Sequence, residues 1–142
     1  MDKVELKKRT QKFAVDIIKF IEPLPNSKVL NVLSNQLLRS SSSVGANYRA
    51  ACKGKSTADF INKIVICEEE ADESIYWIDL MIESELVNAA LLTTLKKEAT
   101  ELTAIFTAIG KTAKENQRKI KLNKFEIEHS KFDIRRSINT VQ

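Results

Sequence analysis

The chain has 142 residues, of which 43% are apolar and 30% charged, and it contains only three glycines and two prolines. This length fits one domain, and the scarcity of turn-forming residues excludes a β-sandwich or barrel, which needs a turn about every 8–12 residues. The formal net charge is +4. An all-α fold is therefore the first expectation.

The charge is unevenly distributed along the chain. Residues 1–55 contain eleven basic and four acidic side chains, residues 56–85 contain one and nine, and residues 111–142 contain nine and four. An acidic middle thus separates two basic flanks. Two interpretations stay open: either a basic helix packs against the acidic one, or the basic flanks bind nucleic acid.

The first predicted helix carries one apolar stripe. Apolar residues recur at spacings of three and four from Phe13 to Ile21, which is the period of a helix with one buried face. The helix must end before Pro23 and Pro25. Ser27, or Asn26 before it, can then cap a second helix.

Small residues fill the middle of the second predicted helix. Its apolar stripe runs from Leu30 to Ala51 and passes through the sequence Arg-Ser-Ser-Ser-Ser-Val-Gly-Ala-Asn at residues 39–47. The continuous stripe argues against a serine-rich linker. Glycine costs up to about 1 kcal/mol relative to alanine inside a helix, so small side chains there indicate close helix packing. The residues expected to allow it are Ser43, Gly45 and Ala46.

The third predicted helix begins near Ser56 and is apolar over more of its surface than one neighbour can cover. Two stripes share Ile64, Ala71 and Ile78, and Trp77 and Leu80 lie outside both. A subunit interface at Trp77 and Leu80 is the first interpretation. The alternative is that the fourth helix or the C-terminal segment covers them.

The third helix is also rich in carboxylates that can face the second. We predict that Arg39 pairs with Glu70 or Glu73 and that Asn47 adds a hydrogen bond, if the two helices are neighbours. Such a network specifies the register of two helices more than it adds stability, because desolvation offsets much of the attraction.

A fourth helix carries a heptad seam from Leu95 to Ala113. Four amphipathic segments with short connections predict an antiparallel up-and-down four-helix bundle over residues 1–117. After Asn116, polar and apolar residues alternate as in a strand, without a partner strand. We therefore expect residues 118–142 to form a flexible basic tail.

The chemistry of a known enzyme is not apparent. Cys52, Cys67 and His129 fall short of a zinc ligand set, and the three glycines are too far apart for a phosphate-binding loop. The serines at 40–43 have no nearby histidine base. We expect no catalysis, no cofactor and no metal. No apolar run resembles a secretory signal or a membrane span, so the cytoplasm is the expected location.

The residues resemble those of a known bacterial family, the 23S ribosomal RNA intervening-sequence proteins. The motif Arg-Ser-x-x-Ser-Val-Gly-Ala-Asn is present at residues 39–47. Further matches are Ser56-x-x-Asp59-Phe60-Ile61, Glu-Ala-Asp-Glu-Ser at 70–74, and Tyr76-Trp77. The resemblance covers roughly Phe13 to Ala113 and leaves out the tail.

This resemblance implies a four-helix bundle that assembles into a homo-oligomer, typically a pentameric ring, without established enzymatic activity. Similar proteins are accessory subunits of diversity-generating retroelements, where a basic barrel engages RNA and reverse transcriptase. The pair Tyr76-Trp77 makes this chain resemble the accessory branch more closely than a generic family member would. A reverse transcriptase is thus one expected protein partner, although a shared fold does not fix function.

Two functional hypotheses remain. The first is an RNA-associated accessory module that contacts phosphates through basic surfaces. The expected contacts are Lys7, Lys8, Arg9, Lys12, Arg49, Lys53 and Lys55. The second is a protein-protein interaction scaffold without a nucleic-acid role, in which these lysines and arginines only keep the helices soluble.

Overall fold

The computed structural model describes residues 1–141, which form four α-helices. These are α1 (Lys3–Ile21), α2 (Lys28–Cys52), α3 (Thr57–Glu83) and α4 (Ala89–Thr140). No strand is present among these residues. The predicted all-α four-helix bundle is confirmed.

Side-chain caps begin the first three helices. Asp2 accepts a hydrogen bond from the backbone N–H of Glu5 at 2.8 Å, and the Glu5 carboxylate accepts one from the backbone of Asp2 at 2.9 Å. Ser27 caps α2 and Ser56 caps α3. Each cap satisfies an amide that the helix itself leaves unpaired. The helix starts therefore follow from local sequence.

Contacts between successive helices show an antiparallel order. Between α2 and α3, Ser40 lies beside Ser74, whereas Val44, farther along α2, lies beside Cys67, which is earlier in α3. Between α3 and α4, Asp79 pairs with Lys96. The aromatic rings of Tyr48 and Phe106 join α2 to α4 across the core at a centroid distance of 5.5 Å.

The buried core lies within residues 1–110, which form one compact unit. All four helices contribute side chains that are essentially inaccessible to solvent. They include Phe13, Ile17, Leu37, Val44, Ile64, Ile78, Met81, Leu92, Leu102 and Phe106. Burial of side chains of this size is worth roughly 1.5–3 kcal/mol each, so this core is the main source of stability.

The connection between α3 and α4 contains a left-handed residue. Glu85 has a φ of 56°, a conformation that favours glycine. Its backbone N–H donates to Ile82. This corner ends α3 and allows the chain to reverse into α4.

The second unit begins at Lys111, and its secondary structure differs from the expected tail. Helix α4 continues to Thr140, while Gln142, the last residue of the expected tail, lies outside the described residues. A lone strand leaves its backbone groups unpaired, whereas a helix pairs them internally. Residues 111–140 contain neither glycine nor proline, so nothing in this segment breaks the helix.

Candidate functional site

Five of the predicted phosphate contacts share one end of the bundle. Thr10 of α1 lies against Gly45 of α2. Since the two helices are antiparallel, the beginning of α1 lies beside the end of α2. Lys8, Arg49, Lys53 and Lys55 are exposed there, and Lys7 is partly exposed. We refer to these five residues, Lys7, Lys8, Arg49, Lys53 and Lys55, as the basic end.

Arg9 and Lys12 differ from the other predicted contacts because carboxylates of the protein engage them. Arg9 Nε donates to Glu98 of α4 at 2.6 Å, and Arg9 Nη2 donates to Glu98 at 3.0 Å and to Glu101 at 2.5 Å. Lys12 pairs with Asp16 one turn later. The hydrogen bonds that Arg9 donates to Glu98 raise the pKa of Arg9. Arg9 therefore ties α1 to α4, and Lys12 carries a locally compensated charge.

Arg39 of α2 bridges two carboxylates of α3. Its Nη1 donates to both carboxylate oxygens of Glu70 at 3.2 Å, and its Nη2 donates to Glu73. The Glu73 carboxylate also accepts a hydrogen bond from the indole N–H of Trp77 at 3.1 Å. We refer to Arg39, Glu70, Glu73 and Trp77 as the Arg39 network. It connects the motif residue Arg39 to the aromatic pair of α3.

The Arg39 network favours the ionised form of Glu73. The hydrogen bond from the Arg39 guanidinium, together with the bond from Trp77, holds the pKa of Glu73 below its ordinary value against the opposing effect of burial. The side chain of Arg39 is 47% exposed, whereas that of Glu70 is 19% exposed. The network therefore spans the edge of the α2–α3 interface, where solvent weakens each ion pair.

Asn47 does not join the Arg39 network. Its side-chain amide donates to the backbone carbonyl of Ser43 at 2.8 Å, one turn earlier in α2. The expectation of a hydrogen bond across the helices is corrected here. An asparagine amide can reach the carbonyl four residues before it, so a local bond competes with one across the interface.

Of the three small residues expected at a close helix contact, Gly45 lies at one. A Cβ atom built on Gly45 would be 3.3 Å from Thr10 Oγ1 of α1. Ser43 is half-buried and donates to the carbonyl of Arg39 at 2.7 Å, and Ala46 is exposed. The glycine thus lets α1 approach α2, whereas Ala46 lies at the surface.

A buried serine pair joins α2 to α3 and was not singled out from the sequence. Ser40 and Ser74 are both fully buried, and Ser74 Oγ donates to Ser40 Oγ at 2.9 Å. Ser40 Oγ in turn donates to the carbonyl of Leu37 at 3.2 Å. The available signal was spacing, since both serines occupy core positions of their helical stripes.

Trp77 and Leu80, the predicted subunit interface, are each half-buried. Trp77 packs against the bundle core, and its ring meets that of Tyr76 edge-on at a centroid distance of 5.0 Å. Tyr76 is 56% exposed. This face of α3 therefore presents an aromatic pair at the surface beside the Arg39 network.

Two side chains that could act as nucleophiles, Cys67 and Tyr48, are buried. Burial raises the pKa of the Cys67 thiol to about 12, which leaves it un-ionised and unreactive near neutral pH. Burial also raises the pKa of Tyr48. Across residues 1–141, His, Cys, Asp and Glu form no group of three that could hold a metal ion.

Across those same residues, the helices lack the combination of length and apolar character that a membrane crossing requires.

The sequence matches the family model of the 23S rRNA-intervening sequence protein over residues 2–108. The chain belongs to this family. The match contains the basic end, the Arg39 network and the aromatic pair, and it stops just before Gly110, where the first compact unit ends. The helical segment from Lys111 onward is therefore additional to the part that the family model describes.

A solved structure supports membership of the intervening-sequence family. It is a Bacteroides thetaiotaomicron protein of unknown function from the S23 ribosomal protein family, 36% identical in sequence, with a TM-score of 0.72. The alignment covers 78% of this chain and 99% of that chain. No curated protein matches the sequence significantly. The two comparisons agree on fold and family.

Proposed function

We propose that this protein is a non-enzymatic, oligomeric accessory module that binds RNA phosphates through the basic end. One observation carries the proposal: basic residues from two separate stretches of sequence lie at the same end of the bundle. Lys7 and Lys8 belong to the start of α1, and Arg49, Lys53 and Lys55 belong to the end of α2 and the residues after it. Clustered cations attract the phosphate backbone whatever its base sequence.

Two acidic residues near the basic end, Asp2 and Glu5, are partly occupied in a helix cap. Asp2 and Glu5 bond each other's backbone amides at the start of α1, and a carboxylate at a helix N-terminus is partly offset by the helix dipole. The lysines and arginines of the basic end hold no salt bridge to a carboxylate among the described residues. Their charges are thus available to a polyanion.

Assembly would multiply this charge. In a ring of bundles, which the family resemblance favours as a pentamer, the basic end is repeated once per subunit. The half-buried side chains of Trp77 and Leu80 are the apolar candidates for the subunit contact. Repeated basic ends would read the shape and charge of a folded RNA more readily than its base sequence.

A salt titration of RNA binding tests the proposal. The triple variant Lys8→Glu, Arg49→Glu and Lys53→Glu reverses three charges of the basic end. We expect it to lose affinity for both an RNA hairpin and a single-stranded oligonucleotide. The slope of log affinity against log salt should also shrink, by about 0.7–0.9 for each lost phosphate contact.

The matched control reverses three exposed lysines elsewhere on the bundle. Lys19 lies near the end of α1 and Lys28 at the start of α2, both at the opposite end, and Lys97 lies about midway along the bundle, in the third turn of α4. Lys19→Glu, Lys28→Glu and Lys97→Glu change net charge equally and should leave most of the affinity intact. Equal losses in both triple variants, or no RNA binding by the unmodified protein at 50 mM salt, would refute the proposal.

The second candidate function is a protein-protein scaffold. The observation that favours it is the aromatic pair, since Tyr76 is exposed and Trp77 is half-buried beside a charged network. Aromatic residues and arginine are enriched where protein partners bind. A partner such as a reverse transcriptase would then dock on α3, and substitution of Tyr76 would weaken that complex without changing RNA affinity.

A further inference from the structure

An apolar heptad column runs along α4 well beyond the bundle core. Every seventh residue is apolar from the first turn of the helix to near its end. The column consists of Leu92, Ala99, Phe106, Ala113, Ile120, Ile127 and Ile134. Its first three members are fully buried in the core, whereas Ile120, Ile127 and Ile134 are 66%, 55% and 58% exposed.

A strict seven-residue repeat of apolar side chains is the pattern of helices that coil around one another. A helix that merely faces solvent gains nothing from isoleucine at this spacing, because isoleucine is a poorer helix former than alanine, leucine or lysine. Leu122, Phe125, Phe132 and Ile138 are exposed on the same segment, so it is the seven-residue spacing of the three isoleucines, together with the charges beside them, that favours a partner helix at this face.

The edges of the column carry opposite charges. Glu126 and Asp133 each precede an isoleucine of the column, and Lys124 and Lys131 each lie four residues after one. If the isoleucines occupy heptad position a, these acidic residues occupy position g and these lysines occupy position e. In a parallel coiled coil, position g of one helix faces position e of the other. Glu126 of one copy would meet Lys131 of the other, and the twofold symmetry would form this pair twice.

We propose that residues 120–138 of α4 pair in parallel with the same segment of a second copy of this chain. Isoleucine in the column suits parallel pairing, since a β-branched residue at heptad position a favours a parallel coiled coil of two helices. The second core position of each heptad carries a short polar side chain, that of Asn123, Ser130 or Ser137. These side chains allow the two helices to approach closely, and they make the pair less stable than a leucine zipper.

An antiparallel pair fits the charges less well. With Ile127 of one copy against Ser130 of the other, it would set Lys124 against Lys131 and Glu126 against Asp133. The parallel pair contains one unfavourable contact, between Lys119 and Lys124. Lys119→Glu should therefore tighten a parallel pair, because it replaces a repulsion by an attraction.

Light scattering of the full-length protein over a range of concentrations tests the proposal. Ile127→Glu places a charge inside the column, and Leu122→Glu places the same charge on the far side of the helix. Both residues are 55% exposed, so the variants are matched. We expect the dissociation constant of self-association to rise about tenfold or more in Ile127→Glu only, because a buried unpaired charge is unfavourable.

Three outcomes of this experiment would overturn the proposal. One is an unmodified protein with the mass of a single chain at every concentration. A second is an equal effect of Leu122→Glu, which would indicate another face. A third is an unchanged mass in Ile127→Glu, and if that variant also loses RNA binding, the column is assigned to nucleic acid. Circular dichroism of both variants checks that helix content is equal.

Disulfide cross-linking tests the parallel order. Ser130 lies beside the column, whereas the neighbouring residue His129 faces away from it on the same helical turn. In the parallel pair, mild oxidation should link two chains through Ser130→Cys and much less through His129→Cys, each compared with the unmodified chain, which has Cys52 and Cys67. Equal yields would refute the parallel arrangement. This inference involves no residue of the basic end and neither Trp77 nor Leu80, so an Ile127→Glu variant with unchanged mass would leave the proposed function unaffected. A single-chain mass at every concentration would also overturn the oligomeric part of the proposed function, but not RNA binding by the basic end.

Discussion

Helix α4 contains two regions with the same apolar repeat and opposite environments. Between Leu92 and Phe106, three other helices surround the repeat and its side chains are inaccessible to solvent. Between Ile120 and Ile134, more than half of each side chain is exposed. The difference shows that an apolar period defines which face of a helix can be buried, while the neighbouring elements decide whether it is.

Paired phenylalanine substitutions should separate the two regions most strongly. Phe106 is fully buried and Phe125 is 62% exposed. Phe106→Ala should lower the free energy of unfolding by about 3–5 kcal/mol, since it removes a large core side chain and leaves a cavity. Phe125→Ala should change it by less than about 0.5 kcal/mol. Urea denaturation followed by circular dichroism measures both.

A large effect of Phe125→Ala on unfolding at low protein concentration would break the comparison. It would mean that the segment after Lys111 contributes to the stability of a single chain. An effect that grows with protein concentration would instead reflect association between chains, because binding stabilises the folded state by mass action.

Gly110 lies on α4 between the two regions, and Gly45 on α2 serves as its comparison. A Cβ on Gly110 would lie 3.5 Å from Ile64, an ordinary contact, whereas a Cβ on Gly45 would lie 3.3 Å from Thr10 Oγ1. Gly110→Ala should therefore raise the melting temperature and stabilise the protein by up to about 1 kcal/mol. Gly45→Ala should gain less, since the tight contact offsets the improved helix propensity. A loss of stability in Gly110→Ala would contradict this expectation.

A small effect is expected from loss of the Arg39 network. Arg39→Met should lower the free energy of unfolding at pH 7 by about 0.2–1 kcal/mol, the range for exposed ion pairs. The effect should depend on pH, because Arg39 lowers the pKa of Glu73 in the folded protein. That stabilisation is present above the unfolded pKa of glutamate, about 4.3, and is lost as pH falls through the folded value.

The two proteins should therefore differ in stability at pH 7 and converge as the pH falls below the folded pKa of Glu73. Thermal unfolding at a series of pH values measures this convergence. Lys12→Met is a useful control, since it removes an ion pair within α1 rather than one between helices. Unchanged melting and unchanged assembly in Arg39→Met would exclude a role for the network in either stability or register.

The bundle was predictable because its signals are local or periodic. Proline at 23 and 25, the capping serines and the three- and four-residue spacings determine helix ends and buried faces without knowledge of the neighbours. The position of Arg39 beside Glu70 and Glu73 follows from the antiparallel order of α2 and α3, which short connections impose.

Other features depend on long-range contacts that no local or periodic pattern in the sequence predicts. Arg9 meets Glu98 and Glu101 from a helix about 90 residues later, and no local pattern selects this pair over a solvent-facing arginine. The bond from Asn47 to its own helix is one of several geometries open to an asparagine. For residues 118–140, the alternation of polar and apolar residues concealed a second period of seven, and only the helix reveals it.

Trp77 is the only tryptophan of the chain, and its indole bonds to a carboxylate that Arg39 also holds. Its intrinsic fluorescence therefore provides a label-free optical probe located at the contact of α2 and α3. Changes in emission wavelength or quenching can follow protonation of Glu73, the docking of a partner on this face and the unfolding of the bundle in a single cuvette, without any engineered dye.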